Sequence, residues 1–167
     1  GLGVEPVILC LDRQALERQG RAIPVKDGPL SDAHRLTRLV GSGRTWHGTE
    51  VRIVKLDADG VPQHVCGEDE VGEIWVSSDS KTLGYHGLPE LSRRVFHARL
   101  PDVALGSKEG TIDFLRTGDL GFIHSESGEL FVCGRSKDML IIAGKNHYSE
   151  DIELTIAQDV HTFLRPG

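Results

Sequence analysis

Twenty of the 167 residues are glycine, and they stand between short apolar runs rather than gathering in one tract. Glycine weakens helix interiors and favours turns, so this spacing predicts many short strands joined by tight connections. The longest apolar runs, Val7 to Leu11 and Met139 to Ala143, are about five residues, far below the ~20 that a membrane-spanning helix needs. A length of 167 residues suits one domain, or a domain with an appendage.

Local patterns fill in this outline. Pro6-Val-Ile-Leu-Cys-Leu11 reads as a buried strand, and Asp12 as the cap of a short helix over 13–19 that Gly20 ends. The polar stretch from Ala22 to Gly48 holds turn residues at Asp27-Gly28-Pro29 and Gly41-Ser42-Gly43, with one brief strand at 36–40. Glu50 to Lys55 alternates polar and apolar residues; Asp57-Ala-Asp-Gly60 then turns the chain before an acidic loop, 67–70, and a second strand over 72–77. Pro89 suits a first helical turn, with Leu91, Val95 and Phe96 on one face of a helix reaching about Ala98. Beyond a loop, Ile112 to Arg116, Leu120 to His124 and Glu129 to Cys133 predict an antiparallel meander with Gly118 and Gly128 in its turns. The last unit is an apolar run from Lys137 to Ala143, a turn at Gly144-Lys-Asn146, and a helix capped by Ser149 with Ile152, Ile156 and Ala157 on one face.

Composition narrows the chemistry. Nineteen Lys and Arg against 25 Asp and Glu give a net charge of -6, which repels phosphate backbones, so nucleic acid is not an expected partner. Cys10, Cys66 and Cys133 are odd in number and far apart, which suits reduced thiols and a reducing, cytoplasmic compartment. The histidines show no His-x-x-x-His pair, and no metal site is predicted. Ser42 lacks the frame of a nucleophile elbow, and no Gly-rich loop ending in Lys-Ser or Lys-Thr supplies a phosphate cradle. Asp119, in Thr117-Gly118-Asp119, is placed on a tight turn between two strands. Its carboxylate could accept a hydrogen bond from each hydroxyl of a vicinal diol such as a ribose, or it could serve as an Asx-type turn residue. Arg135, Lys137 and Asp138 cluster between two apolar runs, as an anion contact, a flexible joint or a solvated hairpin.

Three spaced pieces carry a resemblance: Val71-Gly-Glu-Ile-Trp-Val-Ser77, Phe114-Leu-Arg-Thr-Gly-Asp-Leu-Gly-Phe122 and Gly134-Arg-Ser-Lys-Asp-Met-Leu-Ile-Ile-Ala-Gly-Lys-Asn-His-Tyr148. Together they resemble the adenylate-forming enzyme superfamily. Lys145-Asn-His-Tyr148 with Asp151-Ile-Glu153, Leu11-Asp-Arg-Gln-Ala-Leu16 and Leu164-Arg-Pro-Gly167 are similar to the fatty acyl-AMP ligases within it. The resemblance implies an α+β fold: a distorted antiparallel β-barrel subdomain with flanking helices, followed by the first hairpin and helix of a small C-terminal domain. On that basis residues 1–136 would be the C-terminal part of a large AMP-binding domain, and 137–167 a hinge and the beginning of the small domain. Starting at Gly1 and stopping at Pro166-Gly167, the chain reads as an excised fragment.

The same resemblance implies that Asp119 and Arg135 bind nucleotide, Asp119 at the ribose hydroxyls and Arg135 toward ribose and phosphate, and that Lys137 is the hinge. No catalytic residue and no metal ligand is expected within the chain. ATP would be the cosubstrate and Mg2+ the cation, held mainly by residues outside it; a phosphate loop and a C-terminal lysine would also lie elsewhere, so the chain alone should not catalyse adenylation. The expected substrate is a fatty acid, and the expected acceptor an acyl carrier protein or polyketide synthase domain. Alternatives are an acyl-CoA ligase and a non-catalytic, lipid-binding relative of the same fold. The segment from Arg99 to Asp113 resembles the insertion that marks the acyl-AMP ligases, with Val103, Ala104 and Leu105 as expected anchors. Ser78-Asp-Ser-Lys-Thr82 departs from the small apolar residues usual before Gly84-Tyr85.

Overall fold

The computed structural model describes residues 5–26, 35–46, 48–101, 112–142, 145–148 and 156. The glycine-punctuated text folds as expected into short strands: β1 (Ile8–Asp12), β2 (Leu36–Val40), β3 (Thr49–Leu56), β4 (Pro62–Val65), β5 (Gly72–Ser78), β6 (Leu115–Ile123), β7 (Leu130–Arg135), β8 (Met139–Ile142) and β9 (Lys145–Tyr148). The α-helix α1 (Pro89–Phe96) interrupts them. Five strands form a sheet in the order β4-β3-β5-β6-β7, and β1-β2 and β8-β9 are two-stranded pairs. Every pairing is antiparallel.

The sheet is distorted and curled but does not close into a barrel. At one edge Gly41 bridges Phe131, Ser42 N–H donates to the Leu130 carbonyl (2.8 Å), and so the end of β2 is stitched to β7. The segment after Gly20 bonds both β1, through Leu11 and Pro24, and the approach to β5, through Arg21 and Glu70. These isolated bridges leave gaps in the ladder where a barrel would be continuous. Inside the curl lie Leu11, Leu16, Ala22, Val71, Leu120, Phe122, Phe131 and Cys133, with the Phe122 and Phe131 rings stacked at 5.3 Å.

Strand β5 is covered on both faces, as its apolar text requires. Ile74 joins Val51 and Ile53, whereas Trp75 joins Val54, Leu100 and Phe114. Asp12 caps the first helical turn, its Oδ1 accepting from Ala15 N–H at 2.7 Å, and Gly20 ends it at φ +61°. Residues Ala15–Gln19 are wound as a π-helical turn rather than α. In α1 the buried face is Ser92 and Phe96; Leu91 and Val95 are only half-buried. Ser92 Oγ takes the place of an apolar contact by donating to the Leu88 carbonyl (2.7 Å) and accepting from Tyr85 N–H (2.9 Å).

Strand β4, where the sequence pattern assigns no element, pairs with β3 beyond the Asp57 turn, whose Oδ1 accepts from Asp59 and Val61 N–H. Two expectations are corrected. Lys145 and Asn146 are not a turn but the start of β9, Ile142 pairing with Lys145. The two strands expected on either side of Gly118 are one strand, β6. The expected 149–157 helix lies outside the described residues apart from Ile156, which is helical. Among the described residues no helix is long and apolar enough to cross a membrane.

Candidate functional site

The site forms where β6 breaks step with β5. Trp75 pairs with Arg116 and Glu73 with Leu120, so between these pairs one residue of β5, Ile74, faces three of β6 and a bulge must absorb the excess. Thr117, Gly118 and Asp119 are that bulge. Gly118 sits at φ +77°, a conformation that a β-carbon would strain, which explains the glycine. Thr117 Oγ1 donates to the Ile74 carbonyl (2.8 Å) and accepts from Asp119 N–H (3.0 Å). Asp119 is thus held by its backbone, and its carboxylate is not consumed by an Asx turn.

On the other side the register of β6 with β7 shifts between Leu120 and Gly121, and next to that shift Asp119 and Arg135 stand opposite each other. Arg135 Nε donates to Asp119 Oδ1 at 2.8 Å. That bond, and then the Asp119 charge, hold the exposed Arg135 guanidinium above its ordinary pKa. Asp119 keeps about a third of its side chain exposed, 35%. A carboxylate has roughly four lone-pair sites, so one arginine bond leaves room for two hydroxyls. Of the three predicted site residues, Asp119 and Arg135 are therefore brought into contact. Lys137 is exposed in the turn after β7, whose start is tied back to the bulge by Ser136 N–H donating to the Gly118 carbonyl (2.8 Å).

Sequence reading missed what lies beneath the bulge. Glu73 is buried, 4% exposed, and its carboxylate accepts from Gly118 N–H (3.1 Å), Trp75 Nε1–H (2.7 Å) and Arg116 Nε–H (2.9 Å). The signal was present, because an acidic residue inside an otherwise apolar strand demands buried partners. Magnesium finds no seat in this group, since Glu73 is saturated with donors and Asp119 already faces a cation.

The neck of the 99–113 segment is firmly built. Ala98 and Phe114 exchange backbone hydrogen bonds of 3.0 and 2.9 Å. Asp113 receives His97 Nδ1 (3.0 Å) and pairs with Arg99 (2.8 Å). Lys81, within the divergent 78–82 stretch, donates to the Phe96 and Asp113 carbonyls, both at 2.9 Å, and so ties the C-terminal end of α1 to the neck. Val103, Ala104 and Leu105 lie outside the described residues.

Elsewhere the fold gathers His64, Cys66 and Glu70, whose potential ligand atoms lie within 4.8 Å of one another. Glu70 is engaged on both oxygens, by His64 Nε2 (3.1 Å) and Gly67 N–H (3.3 Å). Burial first, and then the Glu70 charge, push the Cys66 thiol up to about 12. Because this pKa is raised on folding, the thiol's contribution to stability is complete below pH 9.0 and is lost as pH rises from there toward about 12. Urea unfolding across that window is expected to show stability falling more steeply with pH than in Cys66→Ala.

No family model matches the chain. A 4-hydroxyphenylalkanoate adenylyltransferase of Mycobacterium marinum is 46% identical over 121 residues, 72% of this chain and 18% of that protein. The medium-chain-fatty-acid–[acyl-carrier-protein] ligase JamA of Moorena producens is 39% identical over 163 residues, 98% of this chain and 25% of its own length. The solved structure of a fatty acyl-adenylate ligase from L. pneumophila, in complex with acyl adenylate and pyrophosphate, superposes with a TM-score of 0.62 at 37% identity, covering 91% of this chain and 23% of that one. The chain thus spans about a quarter or less of the length of its relatives. Agreement in sequence and fold along nearly all of its length places it as a portion of one of the adenylate-forming acyl-activating enzymes, the family to which it belongs.

Proposed function

We propose that the protein carrying this chain is an ATP-dependent fatty acyl-AMP ligase. A carboxylate oxygen of the fatty acid attacks the α-phosphorus of ATP, the bond to the β-phosphate oxygen breaks, and pyrophosphate leaves. A carrier-protein thiol then attacks the acyl carbon and AMP departs. The observation that carries this reading is the Asp119–Arg135 pair, presented on a bulge in a chain similar to an adenylyltransferase, a fatty-acid–[acyl-carrier-protein] ligase and a fatty acyl-adenylate ligase. Asp119 would take the ribose hydroxyls and Arg135 would turn toward the phosphate side. Mg2+, the phosphate loop and the terminal lysine belong to the rest of the protein in this reading.

Acid-dependent ATP–pyrophosphate exchange by the full-length protein, with fatty acids of graded length and with aryl alkanoates, tests the assignment. Exchange with fatty acids and recovery of acyl-AMP support it; no exchange with any acid contradicts it. Presenting CoA and a carrier protein side by side separates the two acceptors. The 167-residue chain alone is expected to give no exchange.

Lys137 would be the hinge, with 1–136 on one side and 137–167 on the other. Lys137→Pro, by fixing φ near about -65°, should restrict rotation there. Acyl transfer is expected to fall further than adenylate formation when the two half-reactions are assayed separately, because only the second needs the rotated domain. Equal loss in both contradicts a hinge.

A further inference from the structure

Glu73 is the most completely satisfied buried acid in the described chain, and its chemistry is not accounted for by folding alone. A buried carboxylate is costly to desolvate, and an apolar residue would serve a β-strand interior at lower cost. What Glu73 does that an apolar side chain cannot is receive Gly118 N–H. The bulge has removed the ladder partner of that donor, and a part-buried N–H left unpaired would push the bulge toward another shape.

Each oxygen has its own task. Oε1 takes Gly118 N–H, while Oε2 takes Trp75 Nε1–H and Arg116 Nε–H. Arg116 is fixed in turn by a bond to the Gly60 carbonyl (3.1 Å) and by lying 5.5 Å from the Trp75 ring centroid. The carboxylate therefore has little freedom to rotate. Above it the bulge is held at three further points: Thr117 Oγ1 on Ile74, Asp119 N–H on Thr117, and the Gly118 carbonyl on Ser136.

We propose that Glu73 is a positioning residue for nucleotide: through Gly118 it sets the bulge that aims the Asp119 carboxylate at the ribose. This rests on the adenylating function proposed above and adds to it a residue that touches no substrate. The geometry makes Glu73 and Asp119 one functional unit, so their effects on nucleotide binding must be coupled.

The test is a double-mutant cycle in the full-length enzyme, using Glu73→Gln, Asp119→Ala and the pair, with the KM for ATP and kcat of adenylate formation as readouts. Glutamine keeps the size but turns an amide NH2 or a neutral oxygen toward donors that need a carboxylate. Glu73→Gln is expected to raise KM for ATP about tenfold with a smaller change in kcat, and to add little once Asp119 is alanine. Thr117→Val, which leaves Glu73 and its partners intact, is expected to show the same split and the same coupling, and it serves where the Glu73 variant does not fold. Independent effects of Glu73 and Asp119, or lowered thermal stability with unchanged KM for ATP, overturn the proposal. An unaltered enzyme that makes no acyl-adenylate overturns the functional reading itself, which is a distinguishable failure.

Discussion

Trp75→Ala is expected to remove about 3–5 kcal/mol of folding free energy, a large share of the roughly 5–15 kcal/mol that holds a domain together. The indole is fully buried against Val54, Leu100 and Phe114, its ring centroid 6.4 Å from that of Phe114, so truncation leaves a cavity at the centre of one core cluster. Its Nε1–H also supplies one of the three donors on Glu73, at 2.7 Å. Trp75→Phe separates the two contributions: it keeps most of the volume and loses the donor, and should cost about 1–3 kcal/mol. Urea unfolding followed by near-ultraviolet circular dichroism measures both. A cost below about 1 kcal/mol for the alanine variant would contradict the packing described, since fully buried tryptophans do not yield so little.

Asp119→Ala is expected to weaken ATP binding by roughly 10- to 150-fold, the equivalent of about 1.5–3 kcal/mol for hydrogen bonds to a charged acceptor. The fold should survive. Asp119 is one-third exposed, and its Thr117 and Gly118 neighbours keep the bulge anchored through bonds that do not involve its carboxylate. Loss of affinity with an unchanged unfolding curve is thus the signature of a binding residue. Unchanged ATP affinity returns Asp119 to a structural role, pairing with Arg135 across β6 and β7.

Much of this fold is legible in the sequence because the strands are short and separated by glycine. Leu36–Val40 matches its expected bounds, and β3 and β5 extend theirs by one or two residues. The single strand β6 was not legible, since Thr-Gly-Asp carries the local chemistry of a turn. Only pairing with both β5 and β7 keeps the strand running through a left-handed glycine. Strand β4 begins with Pro62 and contains Gln63 and His64, an edge-strand composition with no alternating signal. The distorted sheet agrees with the expected fold class, but where its ladder is interrupted depends on bridges around Gly41 and Pro24, contacts distant in sequence that no local pattern encodes. At the site, the resemblance pointed to Asp119 and Arg135, and the fold places them 2.8 Å apart. Glu73 went unread because its partners, Trp75, Arg116 and Gly118, are distributed over two strands that meet only after pairing.

The central claim is that the Asp119 carboxylate grips a ribose diol, and comparing ATP with 2′-deoxy-ATP and 3′-deoxy-ATP tests it most directly. In the unaltered full-length enzyme, removing a hydroxyl that Asp119 accepts should raise KM about tenfold, as expected when a charged acceptor loses its donor. In Asp119→Ala the deoxy nucleotides should bind as well as ATP, because the acceptor that distinguished them is gone. An equal penalty for the deoxy nucleotides in both enzymes would contradict the claim and place the ribose on another residue.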